Sequence, residues 1–137
     1  MNELSVTSAA QNSLNSARLS GWGNYPKLDC RVYFQRRIED LQELLGSGSS
    51  SLIARGLGRS YGDSAVNSDG VLMQTTRDRF LSFDVHSGCV TCEAGVSLQE
   101  IIQVALPQGW FLPTTPGTKF VTVGGAIAAD VHGKNHH

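Results

Sequence analysis

A chain of 137 residues has room for one compact domain, and 40% apolar residues can build a single core. The formal net charge of -1 excludes the broad basic field that would draw nucleic acid or an anionic membrane. No apolar stretch approaches the roughly 20 residues of a membrane-spanning helix, and the start of the chain lacks the charged opening and apolar centre of a secretory signal. A cytoplasmic protein is expected.

Residues 1–24 read as a polar, turn-rich tail, in which Gly21-Trp22-Gly23 has no clear period and Trp22 no evident docking place. Residues 25–137 are expected to fold. Val32-Tyr33-Phe34 suits a short strand. Ile38, Leu41, Leu44 and Leu45 then recur at helical spacing, with Glu39 and Asp40 in the favourable first turn and Gly46 as a stop. Gly48 to Ser51 read as a connection, and Ser51 to Ala54 as a strand feeding a glycine-rich segment.

Turn formers at Asn67 to Gly70 precede Val71-Leu72-Met73 and then Phe80 to Val85. His86-Ser87-Gly88 predicts a hairpin turn into an alternating strand from Cys89 to Ala94. Ser97 and Glu100 have the form of a capping box. The helix it opens would present Leu98, Ile101, Ile102, Ala105 and Leu106 on one face and end at Pro107 and Gly109. Short strands outnumber helices, and hairpin links mix with helical crossovers, so the fold class is α+β.

Three cysteines, Cys30, Cys89 and Cys92, are too few for a disulfide scaffold. Cys89-x-x-Cys92 with His132-x-x-x-His136 invites a zinc reading, but such pairs should be about 12–15 residues apart, whereas residues 93 to 131 intervene. Three buried or half-buried thiols and no metal is the expectation.

The chemistry concentrates in two segments. In the first, Arg55-Gly56-Leu57-Gly58-Arg59-Ser60-Tyr61-Gly62-Asp63, three glycines let the backbone turn tightly and lie close to a ligand. Successive N–H groups in such a turn form a nest for anionic oxygens, with Arg55 and Arg59 adding charge and Ser60 a hydroxyl. A phosphate or diphosphate would suit it; an ordinary turn with Arg59 paired to Asp63 would satisfy the pattern equally well. A Rossmann site fits poorly: the third glycine comes one place late, and turn chemistry follows where a helix is needed. In the second segment, Pro116-Gly117-Thr118 precedes Thr122-Val123-Gly124-Gly125 and a small-residue run to Ala129, then His132-Gly133-Lys134-Asn135. Small residues here permit close contact with a flat ligand or simply a tight strand-to-helix junction. His132 reads either as a core histidine or as a site residue.

The strings RGLGRSYGD, AGVSLQEIIQVALPQGWFLPTTPGT and VTVGGAIAADVHGKNHH resemble the decaprenylphosphoryl-β-D-ribose 2′-oxidase family over about Pro26 to His137. That family belongs to the flavoproteins with a p-cresol methylhydroxylase-type FAD domain, the vanillyl-alcohol oxidase superfamily. The resemblance implies that Ala54 to Ser64 (Ala54, Arg55, Gly56, Leu57, Gly58, Arg59, Ser60, Tyr61, Gly62, Asp63, Ser64) wrap the FAD diphosphate. Pro116, Gly117 and Thr118 would line the cofactor's path, and Thr122, Val123, Gly124 and Gly125 would press on the flavin. His132, Lys134 and Asn135 would shape the ring end.

Arg59 stands near where some relatives carry a flavin-attaching histidine, so non-covalent FAD is implied; Ser64 departs from the family's more frequent asparagine. The implied reaction is hydride transfer from a sugar carbinol carbon to FAD, on a polyprenyl-phosphate pentose of cell-wall arabinan synthesis or on an aldonolactone. An acceptor would reoxidise the flavin, and an NAD(P)H-dependent reductase would be a partner. Relatives continue beyond this point, so residues 25–137 would be the N-terminal part of the FAD domain. The catalytic groups and the substrate domain would lie elsewhere in the parent, leaving the 137-residue piece inactive alone. A non-catalytic FAD-binding or structural module is the alternative.

Overall fold

The computed structural model describes residues 15–34, 37–46 and 51–134. Two strands open it, β1 (Asn15–Ser20) and β2 (Lys27–Phe34), followed by helix α1 (Ile38–Gly46) and short strands β3 (Ile53–Arg55) and β4 (Val71–Met73). A hairpin of β5 (Phe80–Asp84) and β6 (Cys89–Cys92) precedes helices α2 (Leu98–Ala105) and α3 (Val123–Ala128). The mixture of small sheets and short helices is the α+β class read from the sequence.

The four-stranded sheet has the order β1-β2-β4-β3: β1 runs antiparallel to β2, while β2, β4 and β3 are mutually parallel. Alternation along β2 places Cys30 and Val32 inward. With Val66 and Val71, Cys30 forms the core, and Leu19, Leu28, Ile53 and Met73 pack against it. β1 corrects the tail reading: residues 15–20 pair with β2 from Asn15↔Val32 to Ser20↔Lys27. The ladder of backbone hydrogen bonds makes this strand, and its own side chains hardly announce it. Residues 1–14 of that tail lie outside the described residues, as does most of the Gly48–Ser51 connection.

α1 forms as its spacing predicts, but only Leu44 of its apolar set is buried; Ile38 and Leu45 are exposed. α2 carries the full capping box: Glu100 N–H donates to Ser97 Oγ at 3.2 Å, and Ser97 N–H donates to Glu100 Oε2 at 2.8 Å. Its inner face is Ile101 and Ala105, while Leu106 stays exposed. In the hairpin, Asp84 closes the turn by accepting from His86 N–H at 2.9 Å and Ser87 Oγ at 2.6 Å, which holds its carboxyl below the usual range. Trp110 ties the hairpin to the segment after α2 through Nε1 donating to the Val85 carbonyl at 2.8 Å.

Cys30 is buried, but Cys89 is exposed, correcting the expectation of three sheltered thiols; burial pushes the Cys92 thiol up, away from a reactive thiolate. Among the described residues no group of three His, Cys, Asp or Glu side chains could hold a metal, and no helix is long and apolar enough to cross a membrane.

Candidate cofactor-binding site

β3 and β4 are parallel neighbours, so the chain must cross back over the sheet between them. It does so through residues 56–70 with turns and no helix, as the Rossmann objection requires. The sharp part of the crossover has Gly58 at φ +67° and Gly62 at φ +58°, the left-handed region where a side chain is strained. No backbone N–H from Leu57 to Tyr61 donates to another group among the described residues, so five consecutive donors stay available for an anion.

Arg55 fixes the base of this loop. Its side chain turns back into the protein, where Nη1 donates to the Ala65 carbonyl at 2.9 Å and Nη2 to the Ser20 carbonyl at 2.8 Å. Desolvation by burial pushes the guanidinium below its ordinary pKa, and the two carbonyls satisfy its buried N–H donors. Arg55 is therefore the loop's internal brace and does not face the ligand side. At the far end, Ser64 Oγ donates to the Tyr61 carbonyl at 2.9 Å.

The second segment meets the first directly. Thr122 is 1% exposed and caps α3, accepting from Gly125 N–H at 3.1 Å. A Cβ on Gly56 would collide with the Thr122 hydroxyl, so the absence of a side chain at Gly56 lets the two motifs touch. Above that contact lies a cavity of about 420 Å³. One wall is Gly56, Leu57, Gly58, Arg59, Ser60 and Tyr61; the other is Pro116, Gly117, Thr118, Thr122 and Gly125.

The remaining expected site residues lie off this cavity. Ala54, Gly62, Asp63 and Ser64 do not line it, and Val123 donates its N–H to the Val96 carbonyl at 2.8 Å. Gly124 faces the turn at Ala94, where a Cβ would lie 3.0 Å from the Ala94 Cβ, so its bareness serves packing. His132 is exposed, its Nδ1 3.0 Å from the Asp130 carbonyl. Lys134 acts through its backbone, exchanging hydrogen bonds with Thr115 at 3.1 and 3.3 Å. Asn135 is outside the described residues. Sequence reasoning missed Trp22, Ala65, Val121, Ala129 and Val131 on the cavity wall. The apolar ones carried no signal beyond hydrophobicity, and Trp22 stood in the presumed tail.

Comparison with known proteins gives the family of the chain. Residues 32–137 match the family model described as FAD binding domain. The chain belongs to the FAD-binding domain family. The decaprenylphosphoryl-beta-D-ribose oxidase of Mycolicibacterium smegmatis is 42% identical over 125 residues, which are 88% of this chain and 27% of that protein. A D-lactate dehydrogenase from Anaerostipes hadrus is 37% identical over 47% of this chain and 14% of its own length. Among solved structures, a variant of the cholesterol oxidase from Brevibacterium sterolicum superposes with a TM-score of 0.72 at 18% identity, over 88% of this chain and 25% of that one. The fold is thus that of a p-cresol methylhydroxylase-type FAD-binding domain, and the chain spans about a quarter of the length of the oxidases it matches.

The residues present suit such a cofactor. FAD concentrates its negative charge on a diphosphate and its flat apolar area on two ring systems. The loop offers unpaired N–H donors and the Arg59 cation for the first, and Leu57, Pro116, Val121 and Val131 offer apolar wall for the second.

Proposed function

We propose that this chain forms part of the FAD site of an oxidoreductase that takes hydride from a carbon bearing a sugar hydroxyl, on a polyprenyl-phosphate pentose or an aldonolactone. The observation that carries the reading is the contact of Gly56 with Thr122 at the floor of one cavity, which brings the unpaired loop amides and the glycine-bearing start of α3 together. The M. smegmatis oxidase is named for a decaprenylphosphoryl ribose and the bacterial dehydrogenase for D-lactate. Ribose and lactate share a secondary alcohol carbon, which is the substrate feature proposed for the parent protein. The flavin, when bound, supplies the hydride acceptor.

This chain's part is binding and orientation. Loop amides 57–61 and Arg59 hold the diphosphate, while Pro116, Gly117, Thr118 and Gly125 define the opposite wall. The proposed attachment is non-covalent, supported by Arg59 standing on the loop where a flavin-attaching histidine would be placed. Residues 25–137 form the N-terminal part of the FAD domain, the groups that activate the substrate hydroxyl belong to the rest of the parent, and the setting is cytoplasmic. The oxidised product is a carbonyl compound, a fitting substrate for an NAD(P)H-dependent reductase as partner.

Purified chain incubated with FAD is expected to retain yellow flavin through gel filtration and release it intact on acid denaturation. The parent protein is expected to bleach on adding a polyprenyl-phosphate ribose, whereas the 137-residue chain alone turns over nothing. A chain that retains no flavin sinks the cofactor reading; flavin that bleaches with no sugar in the parent favours a purely binding role.

A further inference from the structure

The matched family model begins at residue 32, yet the turn between β1 and β2 is built into the cavity. Gly21 lies so close to the glycine-rich loop that a Cβ there would come within 2.6 Å of the Ser60 and Gly62 carbonyl oxygens. Trp22 N–H donates to the Ser60 carbonyl at 2.8 Å, and the Ser20 carbonyl accepts from Arg55. Three independent contacts therefore fasten this turn to the loop. They place the Trp22 indole on the cavity wall, 53% exposed.

Arg59 completes the arrangement. Its guanidinium carbon is 5.4 Å from the centroid of the Trp22 ring and 6.0 Å from that of Phe120, within the range of cation–π attraction on both sides. Nη1 also donates to the Leu57 carbonyl at 2.6 Å. Asp63, its partner in the ordinary-turn reading, has no ion pair with it among the described residues. Arg59 is thus held at the rim by an aromatic face, with no carboxylate ion-paired to it among the described residues.

We propose that Trp22 is a positioning residue for the cofactor: it holds Arg59 at the cavity rim so that the cation meets the diphosphate of FAD. This rests on the reading of the cavity as an FAD site. The diphosphate is assigned because a guanidinium and unpaired amides recognise anionic oxygens, and the isoalloxazine ring is neutral. The β1–β2 turn, outside the matched domain, is then part of the cofactor site.

The test compares FAD, ADP and riboflavin as probes, by titration calorimetry, on the wild-type chain, W22A, W22F and R59A. ADP carries the diphosphate without the flavin, and riboflavin the flavin without the diphosphate. W22A is expected to bind FAD and ADP at least tenfold more weakly, with riboflavin unchanged; R59A should show the same pattern, and W22F should recover most of the affinity. Thermal melts without ligand check folding, and the exposed indole makes a large loss there unexpected. Equal FAD and ADP affinity in W22A and wild type overturns the proposal, as does a W22A loss that extends equally to riboflavin. A wild-type chain that binds none of the three overturns the FAD reading and this inference with it.

Discussion

The molecule has two glycine-bearing segments on one cavity, and they use their glycines for different ends. In the loop of residues 56–62, Gly58 and Gly62 take left-handed backbone angles, and the amides of Arg59, Ser60 and Tyr61 between them donate to no partner among the described residues. At the start of α3, the backbone is regular, every donor named above is satisfied, and Gly124 gives its space to Ala94 while Gly125 alone faces the cavity. A missing side chain leaves room, and the neighbouring atoms determine whether a ligand or the protein itself fills it.

The largest effect expected from breaking that contrast is at Gly58. A Gly58→Val change carries about 1–2 kcal/mol of left-handed strain. It also drives a Cβ into the Arg55 guanidinium, threatening charge-assisted hydrogen bonds of roughly 1.5–3 kcal/mol. The urea midpoint should fall sharply with or without flavin, and a midpoint near wild type would show that the brace tolerates displacement.

Next comes the pair at α3. Gly124→Val should cost about 1–3 kcal/mol of unfolding free energy by overpacking against Ala94. Gly125→Val puts its Cβ 3.0 Å from the capping Thr122 hydroxyl and should also lose some stability, but unlike Gly124→Val it should weaken FAD binding by on the order of tenfold or more, about 1.4 kcal/mol. If both variants lose stability and affinity together, the two glycines share one role and the distinction collapses.

Thr122→Val removes the α3 cap and should cost about 1 kcal/mol, with Thr122→Ser restoring it. Chemical denaturation of the three proteins measures this.

The smallest effect lies away from the cavity. Glu93 accepts from Arg79 Nη2 at 2.9 Å and also faces Arg77, which brings its carboxyl from 4.5 down to about 2. Because the folded value is the lower one, the contribution is complete above pH 4.5 and disappears as pH falls toward about 2. Glu93→Gln should therefore flatten the acid limb of stability in that window and leave FAD affinity at neutral pH unchanged.

Much of this was legible beforehand because local chemistry dictated it. The Ser97–Glu100 box starts α2, the Asp84–Gly88 turn closes the hairpin, and the glycine spacing with no helix behind it excluded a Rossmann site. The resemblance carried by the two glycine segments also pointed to the FAD-binding family that the comparisons show. Side-chain roles were less legible. Arg55 and Arg59 look alike in sequence, but one is a buried brace and the other a cation on the rim.

The sequence by itself determined most elements from α1 to α2 and the glycine-rich loop between β3 and β4, since turns, caps and alternation depend on neighbours a few residues apart. Only the tertiary structure decided that residues 15–20 join the sheet, that Gly56 meets Thr122, and that Trp22 reaches the cavity. Those outcomes depend on which distant backbones approach closely enough to exclude a side chain, and that is set by the packing of the whole domain.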